Sequence, residues 1–254
     1  GRARGPTPRL LVEGDTLEVT RDMTLAIAAH YAATALAAGE VAAGGESPAV
    51  LAATLVVAWV FSDAFSGVFH HAVDNYGNGG TPVFGTVIEA FQGHHSAPQT
   101  ISARPFINNT FKIARATGPA VLFTGLLLHL HAIPVAAGLF SAVFFNAQLL
   151  SQEFHKWSHT PRPPRGAVVL QDLGLILPRS EHAAHHSSPY EAHYCILTGW
   201  CNGVLDSTKF FRRLEVAVFD ATGHKPNCWK LSPEVEREAM ALAGRGGGGA
   251  ATDA

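Results

Sequence analysis

AVLAATLVVAWVFSDAFSGVF, residues 49–69, runs without a break into HHAVD at 70–74. Asp63 is the only charge before the histidines. A membrane-spanning helix needs about 20 predominantly apolar residues, so the stretch reads as a span with two histidines and an aspartate at its exit. Three more apolar stretches accompany it: Ala-rich Met23–Ala43, Ala116–Leu130 and Pro134–Phe154. The stretch from Ala116 is short unless it borrows from Ile113 or tilts. Buried helices of a water-soluble all-α protein are the alternative, but four such stretches with so few charges between them would be hard to cover with polar surface.

Charge placement favours the membrane. Put the N-terminus, the segment 70–115 and everything after His155 on one side. The other side then holds only the turns Gly44–Pro48 and His131–Pro134, and all 18 Lys and Arg fall on one face. The positive-inside rule reads this as four spans with both termini cytosolic or stromal. The expected fold is therefore an all-α, integral-membrane four-helix bundle.

Composition agrees. Charged residues are 15% of the 254 and hydrophobic ones 47%, with mean hydropathy +0.14. A typical soluble domain carries about 25% charge, and a disordered chain needs the opposite balance. A net charge of −2 provides no basic field for nucleic acid. Three cysteines are too few for a disulfide scaffold and read as reduced thiols, a redox pair at Cys195 and Cys201 being the less favoured reading. Residues 1–21, with Arg2, Arg4, Arg9 and Arg21 among scattered Pro and Gly, read as a lead-in that includes the remnant of a targeting peptide, and the opening on Gly1 rather than Met implies that something upstream has been removed. Residues 22–243 read as the membrane domain, and Gly/Ala-rich 244–254 as a disordered tail.

Histidine is the outlier, at 14 residues. His70 stands where the second span leaves the membrane, and His155 and His159 where the fourth does. His94 and His95 lie in EAFQGHHSAPQT, and His182, His185 and His186 in RSEHAAHHSSPY. Helical positions i, i+3 and i+4 share a face, which pairs His155 with His159, His182 with His185 and His186, and His70 with Asp74. Any one of these is more often an interfacial hydrogen-bonding residue than a ligand. Four clusters on one face of the membrane make a stronger signal. Eight imidazoles are too many for one zinc, and two ions fit the count, so the four-helix bundle is expected to carry a His-rich di-metal cap on the cytosolic or stromal side. Nitrogen ligands with room for oxygen favour iron, although ligand type does not exclude other metals. Asp74 is expected as a ligand or as an orienter of one. Asp63, Glu153 and Asp172 are candidates for holding the ligands' second ring nitrogens. His129 and His131, at the far end of the third span, cannot join the site. His30, His71, His193 and His224 fall outside the periodicity and read as structural.

DNYGNGGTPVFGTVIEAFQGHHSAPQTI, SQEFHKWSHT and LQDLGLILPRSEHAAHHSSPYEAHYCILTGWCNGVLD together resemble the lipid desaturase family, over about Phe61 to Trp229. The family includes plastid desaturases of palmitate in phosphatidylglycerol and Kua-type plasmanylethanolamine desaturases. The first run resembles the plastid branch, because the Kua branch tends to place a charged residue where Gly93 stands; HKWSHT suits either. The resemblance implies a membrane enzyme with two non-haem irons that removes two hydrogens from a lipid chain, with O₂ as co-substrate. In the plastid branch the product would carry a trans double bond at carbon 3 of palmitate in phosphatidylglycerol. The electron donor would be ferredoxin, or cytochrome b5 outside the plastid. The membrane would be thylakoid or envelope, with endoplasmic reticulum as the alternative. By position, the family's histidines fall on the eight named above, with Asp74 completing a His-x-x-x-Asp pair. Relatives commonly carry Trp where His71 stands, which makes His71 a rival of His70 for the metal. Other readings are an ether-lipid desaturase or lipid hydroxylase on the same site, and a bis-His haem electron carrier. A zinc protease is disfavoured because no His-Glu-x-x-His is present. Arg104, Arg162, Arg165 and Arg179 are expected either to attract an anionic headgroup or acidic donor, or only to set topology.

Overall fold

The computed structural model describes residues 8–10 and 12–245. The rest of the lead-in and all but the first two residues of the 244–254 tail lie outside the described residues. Among the described residues every regular element is helical. Four helices are long and apolar enough to cross a membrane: α1 (Arg21–Ala43), α2 (Pro48–Asn75), α4 (Phe106–His129) and α5 (Val135–His159). Short α3 (Gly85–His94) and a 3-10 turn (Pro98–Ala103) join α2 to α4.

The boundaries follow from local chemistry. Thr20 caps α1 by accepting the Met23 amide at 3.3 Å, and Ser47 does the same for Val50 at the start of α2. Pro48 opens α2, while Pro105 and Pro134 immediately precede α4 and α5. The third span is longer than its apolar core. It starts at Phe106 and carries exposed Lys112 and Arg115 on its first turns, with the Arg115 guanidinium 5.5 Å from the Phe111 ring centre. Long basic side chains reach to the surface while their stems cover apolar helix.

α5 packs against all three other spans, and α1 packs most extensively on α4. His30 is fully buried inside this bundle, 3.2 Å from Asn146 Oδ1. The described lead-in docks at the other end of α1: the Arg9 amide donates to Thr100 Oγ1 at 2.9 Å, and Arg104 pairs with Asp15.

Beyond α5 the chain forms α6 (Arg165–Asp172), α7 (Arg179–His185), α8 (Asn202–Ser207), α9 (Phe210–Thr222), α10 (Asn227–Leu231) and α11 (Pro233–Leu242). Ile176, Leu177, Ile196 and Leu197 from the loops around α7 join Ala167, Ala147 and Phe154 in one buried cluster, with Trp59 and Leu150 packed on it. Gly67 lets this layer approach α2, because a Cβ there would stand 2.6 Å from Cys195 Sγ.

Candidate metal centre

α2 and α5 run in the same direction and end together, so His70 and His155 emerge side by side with ring centres 6.1 Å apart. α3 and α7 cover these ends and bring the remaining histidines. All nine sequence-predicted side chains converge, in two groups whose potential ligand atoms lie within 4.8 Å of one another. One group is His94, His155, His159, His182 and His186. The other is His70, Asp74, His95 and His185. Neighbouring residues are divided between the groups: His94 and His95 part company at the end of α3, as do His182 and His185 on α7. The groups are therefore adjacent, with the His95 and His186 rings 4.9 Å apart.

In the first group the Nε2 atoms of His94, His155 and His159 stand 2.9, 3.0 and 3.2 Å apart, and those of His182 and His186 3.0 Å. Burial and then the neighbouring imidazoles hold His94 and His182 well below the usual histidine range and bring His186 to about 2. These rings are therefore neutral at pH 7. Nitrogens about 2.0–2.1 Å from a shared ion are forced to about 3 Å from one another, which is the spacing found.

In the second group Asp74 Oδ2 lies 3.2, 3.1 and 3.3 Å from the Nε2 atoms of His70, His95 and His185. The Nδ1 of His70 donates to the Tyr194 carbonyl and that of His185 to the Ala192 carbonyl, each at 2.9 Å. A carbonyl can only accept, so each Nδ1 carries the proton and each Nε2 presents a lone pair. His70 Nε2, His185 Nε2 and Asp74 Oδ1 are buried without a hydrogen-bond partner. Buried polar groups are rarely left so, and a cation among them would satisfy all three.

The three proposed orienting carboxylates stand elsewhere. Fully buried Asp63 accepts the amides of Thr198, Gly199 and Cys201 at 2.7, 3.0 and 2.9 Å. Glu153 pairs with Lys156 and accepts from Asn109 Nδ2 at 3.1 Å. Asp172 is exposed at the end of α6. Backbone carbonyls take their place for His70 and His185, because the 192–194 backbone passes directly behind those rings.

His71 faces away from the metal group, with Nε2 3.0 Å from Glu215 Oε1. Glu215 is fully buried and also accepts from Arg212 Nη1 and Trp229 Nε1, both at 2.7 Å. Sequence reading missed this network. Its only trace was an Arg–Glu pair three residues apart in the apolar run of α9. His193 pairs with Glu181 at 2.9 Å, and His129, exposed at the far end, with Glu40 at 3.0 Å. Among the four arginines considered for headgroups, Arg104 is engaged by Asp15 and Asn108, whereas Arg162, Arg165 and Arg179 are exposed.

A cleft of about 540 Å³ opens between α2 and α5 at the end remote from the histidines, lined by Val50, Ala53, Thr54, Val57, Ala136, Ala137, Phe140 and Ser141. Aromatic rings continue it toward the metal groups. Successive ring centres are 5.4 Å apart from Phe140 to Phe61, 5.6 Å to Phe144, 4.9 Å to Phe65, 6.5 Å to Phe69, 6.1 Å to Phe91 and 5.2 Å to His70.

A lipid desaturase domain profile matches residues 59–229, which contain every residue of both groups. The chain belongs to the lipid desaturase family. It is 43% identical over 173 residues to fatty acid desaturase 4-like 1, chloroplastic, of Arabidopsis thaliana, covering 67% of this chain and 57% of that protein. It is 44% identical over 174 residues to fatty acid desaturase 4, chloroplastic, of the same plant, covering 67% of this chain and 52% of that protein. Plasmanylethanolamine desaturase 1 of Mus musculus is 32% identical over 181 residues, covering 68% of this chain and 66% of that protein. The chain thus spans just over half the length of the two plant relatives. No solved structure matches it.

Proposed function

We propose that this family member is a membrane lipid desaturase with two irons, one held by His94, His155, His159, His182 and His186, the other by His70, Asp74, His95 and His185. The observation that carries this reading is the division of nine buried or half-buried ligand atoms into two adjacent groups at the end of the spans. Iron, with O₂ and two electrons, would supply the oxidising power that acid–base side chains lack toward an unactivated C–H bond. The chain's own residues hold, orient and shield. Tyr194 and Ala192 carbonyls fix the ring tautomers of His70 and His185, and Phe91 lies against His70 on the side of the aromatic run. The run and the cleft below it offer an acyl chain a continuous apolar path along α2 and α5.

The finer reading is palmitate in phosphatidylglycerol, desaturated at carbon 3 to a trans double bond, in a plastid thylakoid or envelope membrane with ferredoxin as donor. Two observations support it. The chloroplastic relatives are more similar than the plasmanylethanolamine desaturase. A carbon close to the ester also suits a site at the headgroup end of the spans, with the tail running down the cleft. Exposed Arg162, Arg165 and Arg179 on the cytosolic or stromal face would favour an anionic headgroup or an acidic donor. Gathering five imidazoles in one group and three with a carboxylate in the other, all at one end, is unlike the facing pairs that bis-His haem ligation needs.

The test is lipid profiling by gas chromatography after expression in a host lacking the activity, with a plastid ferredoxin supplied. A trans-3 hexadecenoyl chain in phosphatidylglycerol is the expected product. A vinyl ether in ethanolamine lipids would assign the ether-lipid branch, and a hydroxylated chain would replace desaturation by hydroxylation.

A further inference from the structure

The segment after α6 runs deeper than its place in the chain requires. Cys201 Sγ lies 3.6 Å from the Val60 carbonyl, and Asp63 takes the amides of Thr198, Gly199 and Cys201. Val60 and Asp63 precede His70 by ten and seven residues, or about 15 and 10 Å along a helix. On α5 the same layer meets Ala147, eight residues before His155. These positions lie within the apolar spans, below the histidines.

Irregular backbone survives at such depth only where its polar groups are met inside the protein. Here they are. The Leu177 amide donates to the Leu197 carbonyl at 2.9 Å, Gln171 Nε2 to the Leu177 carbonyl at 3.0 Å, and the Ile196 amide to Ser66 Oγ at 3.0 Å. Gly199, at φ +81°, turns the chain so that amides on both sides of it reach one carboxylate.

The outer surface of the segment is apolar: Val169, Leu173, Leu175, Trp200 and Val204 are 42–66% exposed. Trp200 Nε1, the one polar atom of its ring, is satisfied by the Gly174 carbonyl at 2.6 Å. Val169 and Leu173 lie one turn apart on one flank of α6; Arg165, a turn before Val169, stands at the start of the helix, and Asp172 lies at the edge of the patch. Asp206, just past Val204, is turned inward onto the His193 amide at 3.2 Å. The patch continues the exposed apolar surface of α2 at Val56 and Val60.

We propose that α6 with the Leu173–Leu177 and Ile196–Val204 stretches forms a re-entrant element that dips into the leaflet on the histidine side, with these five residues contacting acyl chains. Its occupant is lipid hydrocarbon, since the patch joins a lipid-facing span and the amides of its turns are largely met inside the protein, as membrane burial demands. Asp63 serves as the clamp that holds the dip against α2.

Nitroxide labels on Leu173→Cys and Val204→Cys, in a Cys201→Ser background, test this without reference to activity. The protein is reconstituted in phosphatidylglycerol–phosphatidylcholine vesicles, and each label is exposed to oxygen and to a water-soluble nickel chelate. Both labels should collide with oxygen and be shielded from nickel, matching a label at Val57→Cys on α2. Nickel access at either position, matching Arg237→Cys on α11, overturns the proposal. Protection from both reagents, the sign of a protein partner on the patch, overturns it equally.

Discussion

His70 and His71 are neighbours about 100° apart around α2 that flank Tyr194 and face different partners. His70 Nε2 faces Asp74 at 3.2 Å, and His71 Nε2 faces Glu215 at 3.0 Å. The helix therefore carries a stripe that faces the Asp74 group and, one residue over, a stripe that binds α9. Both histidines were open to the metal role in sequence, and the packing of Glu215 against His71 is what favours His70 for it.

Substitution should separate the two roles. His70→Ala is expected to empty the Asp74 group and leave no more than one iron per chain by elemental analysis. His71→Gln should keep both irons. Losing the fit to Glu215 in that variant should cost about 1–3 kcal/mol, since buried partners would be left unsatisfied, and a lowered Tm would report it. Loss of iron in both variants would make the two-sided assignment wrong.

His155→Ala and His186→Ala are expected to abolish the desaturated product while membrane insertion, read by protease protection, is unchanged. Both belong to the five-histidine group. His129→Ala is the control. Its exposed pair with Glu40 is worth about 0–1 kcal/mol, and product yield should stay at the parent level.

The spans and the ligand clusters were readable because both are local patterns: apolar runs of spanning length, and histidines at helical or adjacent spacing. What joins distant segments was not. The partner of His71 lies on α9, across the whole of α4 and α5, and no periodicity links them. Asp63 was recognisable as an unusual intramembrane carboxylate, yet its partners are backbone amides, which have no signature in sequence. The same holds for the Tyr194 and Ala192 carbonyls, which took the place expected of Asp63, Glu153 and Asp172. The third span was read short because its charged first turns look polar until their stems are seen lying along the helix.

The cleft between α2 and α5 should act as a ruler for the acyl chain. Val57→Trp or Ser141→Trp fills the end of it nearer the histidines, about 20 Å along the helices from His70 and His155, where the tail of a palmitoyl chain ends. Because each methylene excluded from an apolar pocket changes selectivity by about tenfold or more, these variants should shift products toward shorter chains by at least about tenfold. Val56→Phe, 63% exposed on α2 and outside the cleft lining, should leave the profile unchanged. Mixed-chain lipids analysed by mass spectrometry provide the comparison, and an unshifted profile in both cleft variants would remove the cleft from the substrate's path.

The three cysteines are free thiols, and their environments make them slow. Burial and then the Asp63 carboxylate push Cys201 up to about 11, and burial with Glu215 pushes Cys228 up to about 12. The reactive form is the thiolate. Iodoacetamide labelling followed by peptide mapping should therefore find all three slow at about pH 7–8, with Cys201, the least buried, modified first. Rapid modification at pH 7 would mean an activated thiol and revive the regulatory pair.

Asp63 is the residue on which the layer behind the metal centre depends. Its carboxylate meets three amides of the 198–201 turn, and Ser66, one turn on, meets the Ile196 amide. The same stretch carries the Tyr194 carbonyl that orients His70. Removing the carboxylate from this buried position orphans three donors, at about 1–3 kcal/mol each. Asp63→Ala should therefore destabilise by more than about 3 kcal/mol and lower iron content, although no ligand is touched. Asp63→Asn keeps one acceptor oxygen and should fall between the two in Tm and iron content. Equal behaviour of Asn and Ala would show that charge rather than hydrogen bonding holds the turn, and an unchanged Asp63→Ala would detach the turn from the centre altogether.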